Sequence, residues 1–177
     1  MGLGRLLLRL TIGETFFVHG TQKLFGWFGG YGPDGTGQFF DSLGLRPGKR
    51  NAIAAGSTET ACGILVALGL AMPVAAAGLS AVMITALRTA IWNEGIKPAT
   101  GEHELLLAVA ALALTETGPG ALSLDSALRV ERRGTSWMLG ALGAGAAGSA
   151  MAISLGRREP AAPAPAESRA APEAATK

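Results

Sequence analysis

Two apolar runs separated by a single proline constrain this chain more than any other feature. From Ala52 to Met72 the only charged residue is Glu59, and from Val74 to Trp92 the only one is Arg88, with Pro73 between the runs. A third run, Trp137 to Leu155, has no charged residue. Crossing the hydrocarbon of a bilayer as a helix takes about 20 mostly apolar residues. Backbone groups there must pair within their own segment, so runs of this kind are helices in a membrane. Pro73 cannot continue a helix begun in the first run, so the two runs are expected to form a tight antiparallel hairpin. Composition agrees: of 177 residues, 49% are hydrophobic and 16% charged, with 26 glycines, as suits a membrane bundle better than a soluble globule.

Two further segments complete the expected set. The first runs from Gly4 to Phe28 and is unusually polar, with Arg5, Arg9, Glu14, His19 and Lys23. Glu14 interrupts its apolar stretch and no small-x-small cleavage site follows, so it reads as a helix rather than a signal peptide. The fourth, Glu104 to Thr117, is short, its strongly apolar part being LLLAVAALAL, and it stops at Gly118-Pro119-Gly120. The stretch containing GGYGPDGTG is expected to be a loop, and NEGIKPATGEHE a polar connection. The fold class is therefore all-α: a polytopic four-helix membrane bundle over residues 1–130, a fifth transmembrane helix within 131–156, and a disordered Ala/Pro-rich tail over 157–177. Trp27, Trp92 and Trp137 each fall at a helix end, where interfacial tryptophans collect. Gly140, Ala144 and Gly148 share one face of the fifth helix, a spacing that serves a homo-oligomer seam or ordinary packing within the chain.

Charge and cysteine usage exclude other classes. The net charge is +2 and the basic residues are mixed with acidic ones, so nucleic-acid binding is not expected. Cys62 is the single cysteine, which rules out an internal disulfide or a Cys-x-x-Cys pair. No metal site, haem-ligand pair or flavin fingerprint is read, and no cofactor is expected within the chain. The basic residues do not settle orientation. With five spans, Arg5, Arg9, Arg129, Arg132 and Arg133 lie on one side, and Arg46, Lys49, Arg50, Lys97, Arg157 and Arg158 on the other. If the fifth segment does not cross, Arg157 and Arg158 join the amino-terminal side, which then holds seven basic residues to four, and the amino terminus is expected to be cytoplasmic.

The ionisable residues within the apolar segments are more informative. In an up-and-down bundle, the end of segment one, the start of two, the end of three and the start of four share one membrane face, here face B. At about 1.5 Å per residue, Lys23 lies about 7 Å from that face, Glu59 about 10 Å, Arg88 about 6 Å and His19 about 13 Å, with His103 and Glu104 at the mouth. His19 and Lys23, four apart, share a helix face. A charge in the bilayer centre costs at least about 2.5–3.5 kcal/mol, so these groups are expected to converge, Lys23 and Arg88 against Glu59 and Glu104. The candidate ligand- or proton-handling set is His19, Lys23, Glu59, Arg88, His103 and Glu104; a purely structural network is the competing expectation.

The opening helix RLLLRLTIGETFFVHGTQKLFGWFGG resembles that of DoxX family membrane proteins, whose HG-x-x-K-x-x-G signature is met by His19, Gly20, Lys23 and Gly26. GTGQFFDSLGL resembles the family's first loop, ETACGILVALGL its second helix, and EHELLLAVAALALTETGPGALSLD its fourth helix and closing stretch. The resemblance covers about residues 4 to 130. It implies a four-helix integral membrane protein of the cell membrane, in a family associated with thiosulfate:quinone oxidoreductase subunits and with mycobacterial complexes that couple superoxide dismutase to a sulfurtransferase in oxidative and thiol stress. The expectation is an accessory subunit of a redox system, rather than a stand-alone enzyme, with soluble redox partners and a pocket for a quinone head group or small sulfur oxyanion. The alternatives are a small-solute transporter and a membrane scaffold.

Overall fold

The computed structural model describes residues 2–97 and 100–156; the tail expected from residue 157 lies outside the described residues. The chain is all-helical there: α1 (Leu3–Phe25), α2 (Gly32–Ser42), α3 (Gly48–Leu68), α4 (Met72–Glu94), α5 (Glu102–Thr117), the one-turn α6 (Leu124–Ala127) and α7 (Thr135–Gly156). The expected bundle is present, with boundaries moved by a few residues.

Helix ends follow local chemistry. α1 stops where Gly26 turns left-handed at φ 72° and donates its N–H to the Gln22 carbonyl, and a 3-10 turn, Trp27–Gly29, follows. The α3–α4 hairpin turns over Gly69 and Ala71, both at positive φ, and Pro73 stands in the first turn of α4. Proline is tolerated in a first turn because the N–H it lacks has no partner there, so Pro73 starts a helix as much as it ends one.

One expectation fails. The Gly/Pro-rich stretch after α1 is not a loop, since residues 32–42 form α2. Pro33 and Asp34 sit in its first turn, where proline's fixed φ and a carboxylate near the helix dipole both favour starting a helix. α2 lies across the face B end of α3. There the Asp41 carboxylate accepts the Gly48 N–H at 2.7 Å, capping α3 from outside its own sequence.

The bundle is held by close helix approach. On α1, a Cβ at Gly13 would stand 2.8 Å from the Gly63 carbonyl, and one at Gly20 would stand 2.7 Å from the Gly56 carbonyl. Small residues on both helices thus let α1 and α3 meet backbone to backbone. α7 packs on α4 in the same way: Gly145 rests against Ser80 and Ala77, and the hydroxyls of Thr85 and Ser149 are hydrogen-bonded at 2.9 Å. The buried stripe of α7 is Ala141, Gly145, Ser149 and Ile153, while Gly140 and Ala144 face outward. Phe16, Val66, Leu79 and Leu114 are buried to 1% exposure or less in the core between α1, α3, α4 and α5.

Three described helices, α3, α4 and α7, are long and apolar enough to cross a membrane. Five were expected. α5 has 16 residues, about 24 Å at the helical rise, and α1 carries four charged residues. Two of those charges are dealt with internally. Arg9 is 3% exposed and donates to the carbonyls of Ala67 at 3.0 Å, Pro119 at 2.8 Å and Leu122 at 2.6 Å. It thereby ties α1 to the end of α3 and to the loop after α5, at the face opposite B, here face A. Lys23 belongs to the site below.

Candidate functional site

The helices line an open-sided chamber of about 520 Å³ in the face B half of the bundle, with walls from α1, α2, α3, α4, α5 and α7. Most of its lining is apolar: Phe16, Phe39, Phe40, Leu43, Leu45, Ala54, Ala55, Val82, Met83 and Leu107. Thr85 and Thr89 also line it, but their hydroxyls donate to carbonyls one turn earlier in α4.

The histidines and the buried ion pair come from α1, α3 and α5, while Asn93 and Glu94, both exposed at the end of α4, also line the chamber. Lys23 Nζ donates to Glu59 Oε2 at 2.6 Å and to the His19 carbonyl at 3.3 Å. The Glu59 side chain is 3% exposed and that of Lys23 19% exposed, so the pair is largely withdrawn from solvent. Close packing makes it possible: Gly56, one turn before Glu59, has no side chain to hold Lys23 away. The ring of His19 lies 6.2 Å from that of His103, tilted by 33°, which brings α1 and α5 together across the chamber. Glu104 lines the same wall.

Of the six candidate residues, His19, Lys23, His103 and Glu104 line the chamber, and Glu59 joins it through Lys23. Arg88 stands apart. It is exposed, with its guanidinium carbon 5.6 Å from the centre of the Trp92 ring. Among the described residues no salt bridge joins Arg88 to Glu59 or Glu104. Its depth matches theirs, but its helix face does not. Depth follows from residue count, whereas facing depends on which neighbours α4 takes, and α4 turns its buried stripe (Ala76, Leu79, Ser80, Met83) to other helices.

The residues missed are those of α2. Phe39 and Phe40 close one side of the chamber and, with His19 and Lys23, separate it from a second cavity of about 540 Å³. That cavity lies between α1, the 3-10 turn and α2, and its lining includes Gln22, Tyr31 and Thr36. The available signal was Pro33-Asp34 followed six residues on by the Phe39-Phe40 pair, a helix start with an apolar face. Asn51 also lines the chamber; its Nδ2 is turned towards Gly156 and has no hydrogen-bond partner among the described residues.

The DoxX family model matches residues 4–92, half of the chain, and so includes His19, Lys23, Glu59 and Arg88. The chain belongs to the DoxX family. A protein of Bacillus subtilis (strain 168), named "Putative oxidoreductase CatD", is 35% identical over 123 residues, covering 70% of this chain and 85% of that one. No solved structure matches the chain significantly. The family model ends at Trp92, so His103 and Glu104 on α5 lie beyond it. The DoxX membership and the apolar helices make this a membrane protein.

Proposed function

We propose that this DoxX protein is a multi-pass accessory subunit of a redox system in the cell membrane, and that its chamber holds a quinone head group. The carrying observation is the contrast between the chamber's walls. A mostly apolar cavity of about 520 Å³ gathers on its α1–α3–α5 side a cluster of groups, His19, Lys23–Glu59, His103 and Glu104, that can donate and accept hydrogen bonds. Such a cavity suits a flat apolar ring with polar oxygens at its edge. It suits a small sulfur oxyanion less well: Lys23 is already neutralised by Glu59, and stripping an anion of water against apolar walls is costly.

In this reading Lys23 positions a quinone oxygen. His19 and His103, both open to the chamber, hold or pass the proton that accompanies reduction of a carbonyl to a hydroxyl. The electron donor comes from a soluble or membrane partner. The printed name of the Bacillus relative as an oxidoreductase supports a redox setting.

The test is retention of quinone. The full chain, purified from its own membranes in mild detergent, should yield solvent-extractable quinone at a stoichiometry near one. Phe40→Trp, which fills the chamber, should remove most of it while the protein remains folded. A wild-type preparation that carries no more quinone than an unrelated membrane protein, and does not bind an added short-chain quinone, would sink the proposal.

A further inference from the structure

The segment between α5 and α7, residues 118–134, carries a second feature that the chamber does not use. It joins the helices at face A, where α3 ends at Leu68 and α4 and α7 begin at Met72 and Thr135. Those three are the membrane-length helices, so their common end marks the level of the bilayer interface. The segment is pinned there: the Asp125 carboxylate accepts the Ala71 N–H at 2.9 Å, and Gly134 donates to the Glu116 carbonyl at 3.0 Å.

What the segment presents outward is mixed in a specific way. Leu122 is 72% exposed, Leu128 62% and Val130 52%. Between and beside them stand Arg129, Arg132 and Arg133, all exposed. Arg132 lies over the ring of Trp137, 5.1 Å from its centre, and Arg133 packs at Gly118 beside Glu131. Arg5 lies beside the same loop near Gly120, donating to the carbonyl of Thr117, the last residue of α5, at 2.8 Å. Two carboxylates here, half-buried Glu131 and exposed Glu116, are partly engaged, the first near Arg133 at 3.4 Å and the second by the Thr135 hydroxyl at 2.7 Å.

We infer that this segment is a binding site for anionic phospholipid headgroups. Guanidinium groups grip phosphate oxygens in pairs. The leucines and valine alternating with them suit the acyl boundary immediately beside the phosphates, a depth that a soluble protein surface does not provide. Trp137, held under Arg132, belongs at the same level. The proposal does not depend on the chamber or on its ligand.

Trp137 can report the binding. The full chain bearing Trp27→Phe and Trp92→Phe, reconstituted in phosphatidylcholine vesicles, leaves Trp137 as the fluorophore. A small fraction of brominated phosphatidylglycerol should then quench Trp137 more strongly than the same fraction of brominated phosphatidylcholine. The joint change Arg129→Gln, Arg132→Gln and Arg133→Gln should lower the apparent preference by at least about tenfold, since each basic group near an anionic surface contributes several-fold. Arg129→Gln alone, which leaves the Arg132–Trp137 contact untouched, should lower it several-fold and serves if the triple variant does not fold. Lys97→Gln, at the opposite face, should change nothing. Equal quenching by the two lipids in the parent protein, or a preference unaltered by the arginine changes, overturns the site; the second result would leave the arginines to a soluble protein partner.

Discussion

At the scale of single residues, the Lys23–Glu59 pair decides whether the chamber wall is scaffold or working surface. Removing one partner of a buried pair leaves the other uncompensated, at a cost of about 3–5 kcal/mol. Glu59→Leu should therefore lower the melting temperature in detergent substantially. Replacing both partners removes the charges together, and such swaps are often near neutral. The Lys23→Met, Glu59→Met double variant should recover most of that loss while no longer retaining quinone. If it recovers stability and keeps the ligand, the pair is only structural. Glycines set a second residue-scale test. A Cβ at Gly63 would stand 2.8 Å from both the Gly13 carbonyl and the Phe17 nitrogen, so Gly63→Ala must push α1 and α3 apart. It should cost about 1–3 kcal/mol, as overpacking usually does. Gly140→Ala, where nothing lies within 4 Å, should leave thermal stability unchanged or slightly raised.

At the scale of elements, two long helices are capped by aspartates that belong to short ones. Asp41, in α2, caps the start of α3, and Asp125, in α6, caps the start of α4 through the Ala71 and Met72 N–H groups. Losing a cap costs about 0.5–2 kcal/mol, more where the orphaned donors are buried. Asp125 is 2% exposed, so Asp125→Ala should destabilise more than Asp41→Ala, by calorimetry or thermal aggregation of the purified protein. Neither contact was legible in the sequence. Apolar runs of membrane length announce themselves through composition alone, and so α3, α4 and α7 could be placed to within a few residues. α2 could not, because glycine and proline mark turns and helix starts with the same letters. Arg9 shows the same limit. Counted as an interfacial charge, it is in fact buried under three carbonyls. Only the tertiary fold brings those acceptors together, from positions 58 to 113 residues away.

At the scale of the whole molecule, the depth argument and the facing argument separate. Rise per residue placed His19, Lys23, Glu59, His103 and Glu104 towards one face, and the chamber gathers them there. It could not say that Arg88 would turn outward, because that depends on the order in which helices pack. The same packing bears on orientation. α7 begins where Gly134 donates to the Glu116 carbonyl, beside the end of α5, and finishes where the Gly156 carbonyl accepts the Arg46 N–H at 2.7 Å, beside the start of α3. It thus runs the full depth of the bundle. The expectation of a cytoplasmic amino terminus drew its support from a count in which the fifth helix does not cross, so that support is lost if α7 does cross. With the basic residues nearly balanced between faces, the sides have to be measured. In a Cys62→Ala background, Ser136→Cys and Leu155→Cys stand at the two ends of α7, both exposed. A membrane-impermeant maleimide applied to intact cells should label one of them, and label the other only after the membrane is opened. Labelling of both from the same side would mean that α7 folds back. The shared wall of α4 and α7 around the chamber, and the common interface level assigned to residues 118–134, would then both need redrawing.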